Sequence, residues 1–206
     1  MKKFIIIIAL LLFLNGCTGK VVQDLKLEGP YKVVNVVDGD TLDLNNSKRV
    51  RLSGINTPEV GECYYSEAKN KLASLTLEKE VYIEKDITNI DKYGRLLRYI
   101  YINDAIVNSI LVEEGYAKVY DKYKNDTKRY SQLKEVEEIA IKNSLGVWSC
   151  EDAIQDCLYV RSKNSDVYHK PECRSAKRIK PENIICYETE EELNEDPADL
   201  RPAKVC

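Results

Sequence analysis

Between Thr41 and Leu52 the chain alternates twice. Leu42 and Leu44 alternate with Thr41 and Asp43, and Val50 and Leu52 with Arg49 and Arg51. A period of two puts one set of side chains on a core and the other towards solvent, so each run predicts a half-buried strand. Asn45-Asn46-Ser47 between them is turn chemistry and predicts a hairpin. Tyr31 to Val37 is β-branched and strand-like, Val81 and Ile83 begin another strand, and Leu96 to Ile102 reads as one more. Elsewhere the spacing is helical. Tyr65, Ala68, Leu72 and Leu75 predict an amphipathic helix over about residues 64–78. Asp104 is placed to cap a helix carrying Ile106, Val107, Ile110 and Leu111, with Gly115 at its end. A third helix, about residues 129–145, carries Tyr130, Leu133, Val136 and Ala140 on one face and stops at Gly146. Short strands interleaved with helices in this order fit a small closed β-barrel decorated by helices, an α+β arrangement of the OB type, better than a parallel α/β sheet.

The chain ends do not follow this pattern. Lys2 and Lys3 precede an apolar run from Phe4 to Leu14, too short to span a bilayer as a permanent helix. The run closes in Leu14-Asn15-Gly16-Cys17, which resembles the lipobox of lipoprotein signal peptides. The resemblance implies cleavage before Cys17 and lipid on that cysteine, with a plain secretory signal as the alternative. Either sends the mature chain out of the cytoplasm, anchored to the membrane or secreted. The expected division is a signal region at 1–17, a tether at 18–29, a main domain at 30–149 and a small Cys/His unit at 157–206.

Charge works mainly by exclusion. The formal net charge is −3, nearly balanced over residues 30–150 and acidic beyond them. The main domain is therefore not a broadly basic DNA binder, and any attraction for nucleic acid must come from a local cluster and a bound cation. His169, the single histidine, lies in the tail, so the main domain has no imidazole to act as base or nucleophile. Asp38-Gly39-Asp40-Thr41 is not an EF-hand, because Leu42 falls where an oxygen ligand is needed and Arg49 where the closing glutamate belongs. What remains is carboxylates with arginine. The hairpin brings the Asp38/Asp40 end of one strand towards the Asn56/Glu59 end of the next, a plausible place for a hard cation and a phosphodiester.

Asp38-Gly39-Asp40-Thr41, Arg51 through Asn56-Thr57-Pro58-Glu59, and Asp91-Lys92-Tyr93-Gly94-Arg95 resemble the signature blocks of the staphylococcal nuclease (thermonuclease) family, in order and at similar spacing. Gly115-Tyr116-Ala117-Lys118-Val119 and the helix ending at Gly146-Val147-Trp148 agree, so the resemblance covers about residues 30–149. It implies an OB-fold that uses one Ca²⁺ to hydrolyse DNA and RNA phosphodiesters, leaving 3′-phosphates. Carried over by position, Asp40 is a direct calcium ligand with Asn56 and the Thr57 carbonyl beside it, and Asp38 acts through water. Glu59 orients or deprotonates the attacking water, and Arg51 and Arg95 hold the phosphate. Asn56 stands where the type member has a second aspartate, which implies weaker calcium affinity. Tyr120 and Tyr123 are candidates for packing on a base or phosphate. A monomer acting on nucleic-acid substrates is expected, and a non-catalytic OB module binding nucleic acid or protein is the alternative. Taken singly, Asp38-Gly39-Asp40 reads as a turn and Glu59 as a helix cap; the three blocks in register carry the functional reading.

Six cysteines remain besides Cys17: Cys63, Cys150, Cys157, Cys173, Cys186 and Cys206. Outside the cytoplasm an even set can pair as disulfides, with connectivity open. The tail, with His169-x-x-x-Cys173 and a terminal Cys206, resembles the Ada-like metal-binding module, which implies Zn²⁺ on His169, Cys173 and Cys206. Ala203 occupies the position of the remaining cysteine, so zinc and disulfides compete for these residues. A unit this small needs one staple or the other.

Overall fold

The computed structural model describes residues 26–204 and Cys206. The expected signal region, the expected lipidation at Cys17 and most of the expected tether therefore lie outside the described residues.

Strands β1 (Leu27–Val36), β2 (Thr41–Leu44) and β3 (Arg49–Leu52) form an antiparallel meander. The expected hairpin pairs Thr41 with Arg51 and Leu42 with Val50, and its turn closes through the Leu44 N–H to the Lys48 carbonyl at 2.9 Å. The alternation reads out as burial: Leu42, Val50 and Leu52 are 0% exposed and Leu44 is 1% exposed. A short β4 (Ile55–Asn56) and helix α1 (Tyr65–Thr76) follow, then β5 (Glu80–Ile90) and β6 (Leu96–Ile102). The sheet runs β3–β2–β1–β5–β6, and a parallel pairing of β3 with β6 joins its two edges into a closed five-stranded barrel. With its helices this is the expected α+β OB arrangement. Closure leaves none of these five strands as a free edge.

Two local expectations change. The first strand begins at Leu27 rather than Tyr31. Gly29-Pro30 reads as a breaker, but the strand runs through it with a register shift between Glu28 and Tyr31 against β5. Asp104 does not cap a helix. Asn103 and Asp104 both have positive φ, 47° and 66°, and form a tight turn that folds β7 (Ala105–Ile106) back onto β6. Helix α2 (Val107–Glu113) starts only after it, with Ile106 at its N-cap and no capping side chain. The residue types that cap helices also favour such turns, so sequence could not separate the two.

Strand β8 (Lys118–Val119) pairs with β4, placing Asn56 opposite Lys118. Helix α3 (Tyr130–Lys142) buries Leu133 and Ala140 as expected, and α4 (Val147–Asp152) follows. Where α2 and α3 end, Gly115 and Gly146 meet backbone to backbone. A Cβ on Gly146 would stand 2.0 Å from the Gly115 carbonyl oxygen, and the Val147 N–H donates to that same oxygen at 2.8 Å.

The tail is a four-stranded sheet built from β9 (Tyr159–Ser162), β10 (Val167–His169), β11 (Ile184–Tyr187) and β12 (Arg201–Pro202), ordered β11–β9–β10–β12. A helix, α5 (Glu190–Glu195), lies between β11 and β12 in the chain. Its core is little more than Ile154, Cys157, Val160, Cys173 and Ala176. Staples make up the shortfall. Cys157 pairs with Cys186 and Cys173 with Cys206, while Cys63 pairs with Cys150 to tie the start of α1 to α4. This corrects the zinc expectation. Cys173 and Cys206 are bonded to each other and offer no thiolate to a metal, which leaves His169, on β10, alone. Among the described residues no group of three or more His, Cys, Asp or Glu side chains could hold a metal ion.

Candidate active site

The turn between β1 and β2 is built by its own acids. The Asp40 N–H donates to Asp38 Oδ1 at 3.1 Å, and the Leu52 N–H donates to the Asp40 carbonyl at 2.8 Å, pinning the turn to the end of β3. Gly39 permits a close approach, since a Cβ there would stand 2.7 Å from Thr57 Oγ1 and 2.9 Å from the Ala68 side chain on α1. Asp40 is consequently 7% exposed. Burial pushes its carboxyl up from the usual range. Arg51 pulls it down, neighbouring Asp38 raises it, and the balance stays upward.

Because Thr41 pairs with Arg51 in the hairpin, the guanidinium emerges beside Asp40. Its Nη2 stands 3.2 Å from Asp40 Oδ2 and donates to Asn56 Oδ1 at 3.1 Å, while Nη1 donates to the Leu52 carbonyl at 3.1 Å. Arg95 arrives from the β5–β6 turn. Asp91 shapes that turn, accepting the N–H groups of Tyr93 at 2.9 Å and Arg95 at 3.0 Å on Oδ1 and Arg95 Nε at 2.7 Å on Oδ2. Burial works to raise the Asp91 carboxyl, but the Arg95 side chain and these backbone donors outweigh it and hold it low. Arg95 Nη1 reaches Thr41 Oγ1 at 3.5 Å, and Thr41 donates its hydroxyl to Asp40 Oδ1 at 3.0 Å. One threonine thus links the second guanidinium to the buried acid.

A cleft of about 520 Å³ opens over this cluster. Asp38, Asp40, Arg51, Asn56, Glu59 and Arg95 all line it, and Tyr120 and Tyr123 form part of its wall. Those two rings meet edge to face at 5.4 Å, and the Arg51 guanidinium lies 5.6 Å from the Tyr120 ring. The Tyr120 N–H donates to the Gly54 carbonyl at 2.9 Å, which fixes where this wall begins. Thr57 stands apart: it is buried and lines an adjoining cavity. Its N–H lies 3.4 Å from Asp40 Oδ2, and its carbonyl accepts from Asn56 Nδ2 at 3.4 Å. The tail candidates His169, Cys173 and Cys206 line no part of the cleft.

Some lining residues escaped the sequence reading. Lys92, Tyr93 and Lys122 face the cleft, with Tyr93 72% exposed and 5.4 Å from the Arg95 guanidinium. Their signal was present, since Lys92 and Tyr93 sit inside the Asp91–Arg95 block and Lys122 between the two tyrosines. An exposed tyrosine and exposed lysines on a turn have no pattern that separates them from ordinary surface.

With the carboxylates of Asp38, Asp40 and Glu59 and a guanidinium pair around one concavity, the cleft can hold an anionic ester between positive groups while oxygen ligands face a cation. A family description, Staphylococcal nuclease homologue, matches residues 49–150. A micrococcal nuclease of Shigella flexneri is 36% identical over 148 residues, covering 65% of this chain and 82% of its own. A thermonuclease of Staphylococcus intermedius is 32% identical over 127 residues, 57% of this chain and 75% of its own. An uncharacterised endonuclease of Escherichia coli O157:H7 is 31% identical over 139 residues, 64% of this chain and 85% of its own.

Proposed function

The chain belongs to the staphylococcal nuclease family, and on that premise we propose that it is an endonuclease that hydrolyses phosphodiester bonds of DNA and RNA with little sequence preference, requiring Ca²⁺. The observation that carries the reading is the convergence of Asp40, Arg51, Glu59 and Arg95 on one cleft. Arg51 approaches it from β3 and Arg95 from the β5–β6 turn, and both grip the non-bridging oxygens of the scissile phosphate, offsetting the charge that builds as phosphorus becomes five-coordinate. Glu59 takes a proton from the attacking water. The new bond joins water oxygen to phosphorus, the bond to the 5′ oxygen breaks, and the leaving oxygen takes its proton from solvent. The product is a 3′-phosphate. Tyr120 and Tyr123 offer ring faces to a base, recognition that stacks rather than reads base edges.

A hard divalent cation fits the acidic edge of the cleft. Asp38, Asp40 and Asn56 offer oxygen ligands there, with the Thr57 carbonyl buried just behind Asn56, and burial disfavours the charge on Asp40 unless a positive partner stands by. When bound, Ca²⁺ supplies positive charge against the phosphate and the developing nucleophile. The Asn56 amide gives this edge one negative charge fewer than an aspartate would. The non-catalytic alternative gains no support, because the acids and arginines that such a module could discard are all present in the cleft.

The reading includes place. Three disulfides suit an oxidising compartment outside the cytoplasm, in keeping with a lipid anchor on Cys17 and a monomer whose cleft is complete within one chain. The test is cleavage of DNA and RNA by protein lacking residues 1–20, with calcium and with chelator, beside Glu59→Gln and Arg95→Ala. Chelator-resistant cutting, or undiminished cutting by Glu59→Gln, refutes the proposal.

A further inference from the structure

Glu59 lies on a loop with little core of its own. Between β4 and α1, Val60 is 67% exposed and Gly61 and Tyr64 take positive φ of 82° and 65°. A base that must meet a water molecule within a few tenths of an ångström needs a firmer support than such a loop provides. Part of the support is local. The Glu62 N–H donates to the Glu59 carbonyl at 2.8 Å, and Glu62 Oε2 accepts the Glu59 N–H at 2.9 Å. These reciprocal bonds close a tight ring around the backbone of Glu59.

The rest comes from the tail. Arg174 Nε stands 3.7 Å from Glu62 Oε1, the other oxygen of the carboxylate that holds Glu59. The Cys63 N–H donates to the Lys177 carbonyl at 3.2 Å. An added Cβ on Gly61 would meet the Arg178 guanidinium at 3.5 Å. Lys180 pairs with Glu67, in the first turn of α1, at 3.0 Å. The Cys63–Cys150 disulfide fastens the end of the loop to α4, and both cysteines line the cavity that the loop shares with Lys177 and Ile154. One short stretch, residues 174–180, therefore touches the loop and the start of the helix after it at successive points.

We infer that the C-terminal module is a positioning element for the nuclease: its Arg174–Lys180 segment clamps the loop that carries Glu59, with Glu62, Arg174 and Lys180 as positioning residues. The inference rests on the reading of Glu59 as the base. A clamp of this kind acts on turnover and leaves substrate binding alone, because Arg51, Arg95 and the tyrosines sit on other elements.

The test uses the protein lacking residues 1–20, with DNA and saturating calcium. Arg174→Glu with Lys180→Glu turns both ion pairs into repulsions. It is expected to lower kcat roughly tenfold with KM unchanged, the scale of a small misplacement of a reacting group. Adding Glu67→Lys to Lys180→Glu reverses that pair's polarity and restores most of that variant's lost turnover. Cys63→Ser with Cys150→Ser lowers kcat in the same way. In a Glu59→Gln background the charge reversals cost nothing further, since the group they position is gone. Unchanged kcat in the reversal variant, or loss that the swap does not repair, overturns the clamp alone provided Glu59→Gln is inactive. A fully active Glu59→Gln overturns the underlying reading, and the clamp with it.

Discussion

Arg51 Nη2 donates to Asn56 Oδ1 at 3.1 Å. The same nitrogen stands 3.2 Å from Asp40, so the amide at the proposed cation edge is also a partner of the arginine proposed to grip the phosphate. Asn56→Asp therefore acts twice, adding charge for calcium and strengthening the hold on Arg51. The calcium concentration for half-maximal cleavage is expected to fall roughly tenfold, as ligand charge count tunes such sites. Titrations of the two proteins side by side measure this, and coincident midpoints exclude it.

Asp91 aims Arg95 through its side chain and its backbone at once. Arg95→Ala is expected to cost about 10²–10³ in kcat, the usual loss for one donor aimed at developing charge. Asp91→Ala leaves the guanidinium in place but unaimed, and should cost about tenfold. Steady-state kinetics rank the two, and an Asp91→Ala loss equal to that of Arg95→Ala would contradict the positioning role.

Glu84, 2% exposed, accepts from Tyr101 at 2.6 Å, Lys128 at 2.5 Å and Arg129 at 2.8 Å, tying the barrel to the segment between the tyrosine wall and α3. Burial works to raise its carboxyl, but Lys128, Tyr101 and Arg129 together hold it below its usual 4.5. A depressed folded-state value means stability that is present above the unfolded value and lost as pH falls through the folded one. Glu84→Gln should cost about 2 kcal/mol at neutral pH and flatten the fall in Tm below the ordinary glutamate range. Parallel Tm-against-pH curves for the two proteins would argue otherwise.

Gly146→Ala must place a methyl group on the Gly115 carbonyl at a positive φ of 55°. Backbone has to move, and a loss of about 2–4 kcal/mol follows. Denaturant unfolding reads this directly; a loss under about 0.5 kcal/mol, ordinary for an exposed site, would show that the helix ends separate freely.

The disulfide assignment makes a chemical prediction. Protein lacking residues 1–20, purified without reductant, should show no free thiol and no stoichiometric zinc, and peptide mapping should return Cys173 joined to Cys206. Bound zinc with free Cys173 would restore the metal-binding alternative.

Much of the barrel was legible because it follows a rule of period two. Leu42, Leu44, Val50 and Leu52 announced the hairpin and fell into the core as a set. The cleft residues were legible as blocks, since Asp38–Thr41, Arg51–Glu59 and Asp91–Arg95 each lie at the end of a strand or in a turn that closure brings together. The Cys63–Cys150 pairing and the tail's hold on Glu62 were not, because contacts between distant segments leave no local period. The tail's zinc reading failed for a related reason. His169-x-x-x-Cys173 is compatible with metal spacing, but which sulfur lies beside Cys173 is decided by the course of the chain between β11 and Cys206.

Cys63 and Cys150 stand 87 positions apart, and the exposed stretch Asp121–Asp126 at the rim of the cleft falls between them. A protease that cuts there opens the polypeptide without parting it, because the two pieces stay joined through sulfur. Such a nicked enzyme would migrate as one species until reducing agent is added, so a single cut at the rim of the cleft need not release either half.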